Sequence, residues 1–173
     1  MINKILETSR LILREICPND YSAISMILQD SEVMYAWEHA FSNTEVIEWI
    51  EENIKRYDRD GYGYWAVIEK ESNDLIGLCG LMVERVDYEV YTGIGYIFKK
   101  DIWGKGYAFE SALGCMDYAF KVLNLTEVTA QIRTENISSI KTAEKLGMRV
   151  KKEFIKKYKG KEMPHLLYSK AMK

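Results

Sequence analysis

Residues 101–110 read DIWGKGYAFE, placing Gly104 and Gly106 just ahead of an amphipathic run. A glycine in the first turn of a helix costs roughly 1 kcal/mol relative to alanine, so bare backbone should be required there. A strand ends near Phe98 and a helix starts near Gly106, and at such a junction free N–H groups converge with the positive end of the helix dipole. That is anion-binding chemistry, with Lys105 between the glycines adding a positive charge. A plain turn with a glycine entry and a tight packing contact are the competing readings.

Two nucleotide sites fail on specifics. A P-loop needs G-x-x-x-x-G-K-[ST], which does not occur. A dinucleotide fingerprint needs a third glycine where this chain has Phe109, and an acidic ribose partner at the next strand end, where Glu127 stands at the wrong end. Metal chemistry is short of ligands: His39 and His165 are the only histidines, and Cys17, Cys79 and Cys115 form no CxxC pair. Three scattered cysteines suit reduced, mostly buried thiols.

The elements that must position the glycines follow from periodicity. Alternation in SRLILREI gives a first strand, and PNDYSAISMILQD a helix with Pro18 near its start. Ser42 and Glu45 form an S-x-x-E capping box opening a helix over 42–59, with Glu45, Glu48, Glu51 and Glu52 early and Lys55, Arg56 and Arg59 late. YGYWAVIEK and DLIGLCGLMVE form a hairpin around ESND, and VYTGIGYIF extends it to a meander. Residues 107–123 space Phe109, Ala112, Leu113, Met116, Ala119, Phe120 and Leu123 as one helical stripe. TEVTAQIR is a strand, NISSIKTAEKLG a short helix closed by Gly147, and MRVKKEFIKK with EMPHLLYSKAM a last strand pair around YKGK.

WGKGYA resembles the R/Q-x-x-G-x-G/A pyrophosphate loop of the GNAT superfamily of N-acetyltransferases, with Trp103 first as in the branch of the ribosomal-protein α-amino acetyltransferases (Rim type). TSRLILRE, GYWAVIEKESNDLIGLCGL, GIGYIFKKDIWGKGYAFESALGCMDYAF and ENISSIKTAEKLGM resemble that branch in order and spacing, over about nine-tenths of the chain. The resemblance implies a single α/β domain over residues 1–173: a mixed, mostly antiparallel twisted sheet of six or seven strands, splayed between the fourth and fifth, with helices on both faces.

It also implies acetyl-CoA as cofactor and acetyl transfer to a primary amine, through direct attack and a tetrahedral intermediate. Backbone groups of Ile97 and Phe98 would bond the pantetheine arm, Trp103, Gly104, Lys105, Gly106, Tyr107 and Ala108 would wrap the pyrophosphate, and Asn136 and Ser139 would approach the thiol, Ser139 as the acid toward sulfur. Plainer roles stand beside these: Asn136 as a helix N-cap, Ser139 on a solvated helix face, Trp103 as a surface or core aromatic. Many relatives read E-I-G-Y on the fourth strand; here the stretch is G-I-G-Y, and Gly93 removes the expected base. Glu84, Glu89 and His165 lie nearby in the inferred topology, and no spacing argument selects among them.

An α-amine, with pKa about 7.7–8.0, is roughly a tenth neutral at pH 7, whereas a lysine side chain at about 10.4 is neutral in well under a thousandth. A site without a strong base therefore favours α-amines, on a protein N-terminus or a small molecule. Two other readings remain: a catalytically silent acyl-CoA sensor, and an interaction protein using the lysine-rich KLGMRVKKEFIKKYKGK stretch on RNA or ribosomes. Strand alternation puts those lysines on a solvated face instead. Likewise Trp37, His39 and Phe41 in MYAWEHAF could wall an acceptor cleft or simply fill the core.

At 173 residues the chain suffices for one domain with a real core, and 47% hydrophobic with 29% charged residues is the balance of a soluble globular protein. A net charge of −2 gives no global pull toward nucleic acid. No apolar run reaches membrane-spanning length and the N-terminus is charged too early for a signal peptide. A cytoplasmic protein, able to form a homodimer through its strand-rich C-terminus, is the expectation.

Overall fold

Ser42 starts the longest helix as its capping box requires: its hydroxyl accepts from Glu45 N–H at 3.2 Å, and the Glu45 carboxylate accepts from Ser42 N–H at 2.7 Å. The computed structural model describes residues 2–173. In chain order its elements are β1 (Lys4–Glu7), β2 (Leu11–Arg14), α1 (Tyr21–Leu28), α2 (Asn43–Asp60), β3 (Tyr64–Glu69), β4 (Leu75–Val86), β5 (Glu89–Phe98), α3 (Tyr107–Lys121), β6 (Glu127–Arg133), α4 (Ile137–Lys145), β7 (Arg149–Tyr158) and β8 (Lys161–Ala171), with three short 3₁₀ turns between them. The strands form one sheet in the order β1-β2-β3-β4-β5-β6-β8-β7.

The sheet has eight strands where the resemblance implies six or seven. The additional one, β1, is a four-residue edge strand with Ile5 and Leu6 both half-buried, so it shows no period-two signal. It shifts the numbering: the fourth and fifth expected strands are β5 and β6.

Alternation along the strands splits the core into two layers. Leu11, Trp65, Leu81, Ile94 and Phe98 pack under α3 and α4 against Ala112, Cys115, Met116 and Ala143. Ala66, Leu78 and Ile97 pack on the other face against Ile24 and Ile27 of α1 and Val46 and Ile50 of α2. Cys79 and Cys115 are free buried thiols meeting at 3.6 Å between β4 and α3. No helix among the described residues is long and apolar enough to cross a membrane.

Candidate functional site

All neighbouring strands are antiparallel except β5 and β6, which run parallel and share a single register pair, Gly93 with Thr129. Thr129 Oγ1 donates to the Thr92 carbonyl at 3.3 Å, and beyond this point the strands part. The fork leaves the second half of β5 with one open edge.

Register decides which backbone groups face that edge. Lys99 N–H donates to Ile76 C=O at 3.1 Å just past the strand end, and bonded pairs alternate along an antiparallel ladder. Ile97 opposite Leu78 is therefore a bonded pair directed at β4, while the main-chain groups of Tyr96 and Phe98 are directed into the fork. This corrects the expectation for Ile97, whose side chain is buried on the α1–α2 face instead. Tyr96 takes its place at the edge.

The glycine loop follows directly. Gly104 (φ 78°) and Gly106 (φ 81°) are both left-handed, a conformation that disfavours a Cβ. Gly106 is the N-cap of α3, and no side chain caps that helix start. A Cβ on Gly104 would meet nothing within 4 Å, and one on Gly106 would meet only Arg10 Nη2 at 3.5 Å. The space is open, not packed, so the glycines do not serve a tight contact; exposed N–H groups at a bare helix terminus fit a pyrophosphate.

Around the loop, the Trp103 indole N–H donates to the Phe98 carbonyl at 3.1 Å while half its surface stays exposed. The Lys105 side chain is exposed, and its carbonyl accepts from Arg10 Nη1 at 2.9 Å. Tyr107 is buried beneath the Arg10 guanidinium, 4.2 Å from its ring centre, with its hydroxyl bonded to Glu69. Ala108 packs against the α3-side core.

The anchor of this assembly was not legible in the sequence. Glu110 accepts from Thr8 Oγ1 (2.6 Å), Arg10 N–H (2.9 Å) and Arg10 Nε (2.6 Å), joining the β1–β2 turn to the first turn of α3. Burial alone would raise its pKa, but the bonds from Thr8 and Arg10 outweigh it and hold the carboxyl below its ordinary value. Contacts a hundred residues apart leave no local pattern.

Across the fork, Asn136 Oδ1 accepts from Ser139 N–H at 3.2 Å, so Asn136 is a helix N-cap for α4. Ser139 is half-buried in the first turn. The Tyr96 phenol lies beside it: burial raises the phenol's pKa, and the Ser139 and Thr142 hydroxyls pull it back down.

The three groups left open as bases separate clearly. Glu89 closes the β4–β5 hairpin, accepting from the Tyr91 hydroxyl at 2.6 Å and pairing with Lys152 at 2.9 Å; those bonds, Tyr91's first, lower its pKa. His165 is buried on β8, where Nδ1 meets the Met163 carbonyl at 2.9 Å, the Phe154 ring lies 5.4 Å away, and burial lowers its pKa. Glu84 reaches the space above Gly93 itself. A Cβ built on Gly93 would collide with Glu84 Oε2 and lie 2.7 Å from its Cδ.

Near the end of β6, Arg133 pairs with Glu38 at 2.7 Å, and Lys161 reaches the same carboxylate at 3.2 Å. These bonds tie the MYAWEHAF segment to the end of β6 and the start of β8. Trp37 and Phe41 pack against the α1–α2 core, while His39 binds Glu45 at 2.8 Å. Of the C-terminal lysines, Lys151 pairs with Glu127 at 2.7 Å and Lys152 with Asp87 at 3.1 Å.

Residues 10–149 match the family described as Acetyltransferase (GNAT) domain. The N-acetyltransferase YnaD of Bacillus subtilis (strain 168) is 32% identical over 158 residues, 88% of this chain and 86% of its own. A GNAT-family acetyltransferase from Bacillus anthracis superposes with TM-score 0.83 at 25% identity, covering 99% of this chain and 98% of that one. RimL, a ribosomal L7/L12 α-N-protein acetyltransferase solved with coenzyme A, gives 0.79 at 16% identity over 99% of this chain and 98% of its own, a likeness of fold.

Proposed function

The chain belongs to the GNAT acetyltransferase family and is an acetyl-CoA-dependent N-acetyltransferase, and from that premise we propose that it acetylates primary amines, α-amines above all, by direct attack on the thioester. The observation that carries this reading is the fork at Gly93–Thr129 opening beside the left-handed glycine loop. One edge offers main-chain groups to an extended arm, and the other end offers uncapped helix amides to its diphosphate. RimL's complex with coenzyme A and its α-amine chemistry support the comparison.

The thioester supplies an acetyl group already activated for attack; the chain supplies position and proton handling. Trp103 through Ala108 hold the pyrophosphate, and Phe98 and Tyr96 bond the arm as an added strand would. Backbone N–H groups at the fork stabilise the oxyanion. Ser139, with the Tyr96 phenol beside it, gives the departing sulfur its proton.

Calorimetric titration with acetyl-CoA tests the cradle. Wild type should bind in the micromolar range, and Gly106→Val, folded by circular dichroism, should not. Thiol release is then followed on a panel of alanine amide, tetrapeptides, spermidine and Nα-acetyl-lysine. Lysine side chains turned over as fast as α-amines would sink the α-amine preference.

A further inference from the structure

Gly93 faces Met82 in the β4–β5 register, and Glu84, two residues along β4, projects on the same face. Its carboxylate occupies the volume that a side chain at 93 would fill. Gly93 is also the last paired residue before β5 and β6 separate, so this carboxylate stands at the apex of the fork. From Phe98 back to Gly93 is five residues of open strand, roughly 16 Å at about 3.3 Å each.

We propose that Glu84 is the general base of the transfer, a carboxylate delivered from β4 into the place left empty by glycine on β5. This rests on the acetyltransferase reading above. As the amine nitrogen bonds to the acetyl carbon, its proton passes to a Glu84 oxygen; the C–S bond then breaks and the sulfur leaves with a proton from Ser139, which is restored from solvent.

The surroundings suit that task. Gln131 Nε2 on β6 donates to Glu84 Oε2 at 2.9 Å and fixes one oxygen. A cavity of about 350 Å³ is lined by Glu84 together with Gln131, Phe154 and Lys156. The groups that face the carboxylate are Arg56 from α2, Lys156 from β7 and the Tyr64 phenol from β3. Burial raises its pKa above the ordinary carboxylate value, and Lys156, Gln131 and Arg56 only partly offset this.

The test compares wild type with Glu84→Gln and with the exchange of Glu84→Gly plus Gly93→Glu. Loss of the base should lower kcat/KM about a hundredfold or more on the best α-amine of the panel, with the acetyl-CoA Kd within twofold of wild type. On aniline, which stays neutral across the assay range, wild-type kcat/KM should fall in acid as the Glu84 carboxylate takes up its own proton, and Glu84→Gln should lose that fall. The exchange should recover at least about tenfold over Glu84→Gln, since it returns a carboxylate to the same space. An acid fall on aniline that persists in Glu84→Gln, or full turnover by Glu84→Gln, would overturn the assignment alone. A wild type that binds acetyl-CoA and acetylates no amine would overturn the functional reading and the assignment with it.

Discussion

The Trp103 indole N–H donates to the Phe98 carbonyl at 3.1 Å, tying the first residue of the glycine loop to the last residue of β5. The bond sets the loop's height over the strand end, where arm and diphosphate must be gripped together. Trp103→Phe keeps a ring and removes the donor. One neutral hydrogen bond contributes about 1 kcal/mol, so the acetyl-CoA Kd should rise roughly two- to tenfold with the melting temperature nearly unchanged. Calorimetry beside a thermal melt separates the two effects.

Glu110 holds the loop from the other side. Glu110→Gln keeps the shape but loses the charge that binds the Arg10 guanidinium at 2.6 Å and the Arg10 N–H at 2.9 Å. A cost of about 2 kcal/mol is expected, lowering the melting temperature by roughly 4–8 °C. The folded pKa lies below the ordinary 4.5, so this stabilisation is present above 4.5 and is lost as pH falls through the folded value. Melts of the two proteins should differ at neutral pH and converge in acid.

Local pattern explains what could be read from the sequence. The capping box at Ser42, the stripe on α3 and the glycines before it are each written within a few residues and stand in the structure, except that Leu113 of the stripe is exposed and Leu123 lies past the helix end. Edge strand β1, the direction of the Ile97 backbone and the reach of Glu84 are not local facts. The first lacks alternation, the second depends on which β4 residue bonds first, and the third on a neighbouring strand's register. A glycine at 93 reads as a missing base until the residue beyond the hairpin is laid beside it.

The buried carboxylate carries a stability cost that its removal should reveal. Folding raises the Glu84 pKa above 4.5, chiefly through burial, so folding favours the protonated form. Relative stability is full below 4.5 and declines as pH rises through the folded value. Glu84→Gln should therefore melt higher than wild type at neutral pH, and the gain should vanish by about pH 4. A variant that melts lower at neutral pH would show that the ionised carboxylate is a net structural asset.

Asn136 caps α4 through Ser139 N–H at 3.2 Å, and that bond alone contributes about 1 kcal/mol. Asn136→Ala should lower the melting temperature by roughly 2–4 °C, and Asn136→Ser should restore it. Any remaining loss of acetyl-CoA affinity in the serine variant measures what the amide N–H₂ contributes beyond the cap.

Ser139 and Tyr96 approach each other from opposite walls of the fork, and the phenol lies within reach of the Ser139 hydroxyl. If the serine delivers the proton to sulfur, Ser139→Ala should lower the single-turnover rate at least about tenfold without weakening acetyl-CoA binding. Tyr96→Phe should cost less, because it removes only the group that orients and resupplies the serine. The two changes act on one proton path, so the double variant should be no slower than Ser139→Ala, a non-additivity typical of residues working as a unit. A larger loss in Tyr96→Phe than in Ser139→Ala would transfer the acid role to the tyrosine and leave the serine as its support.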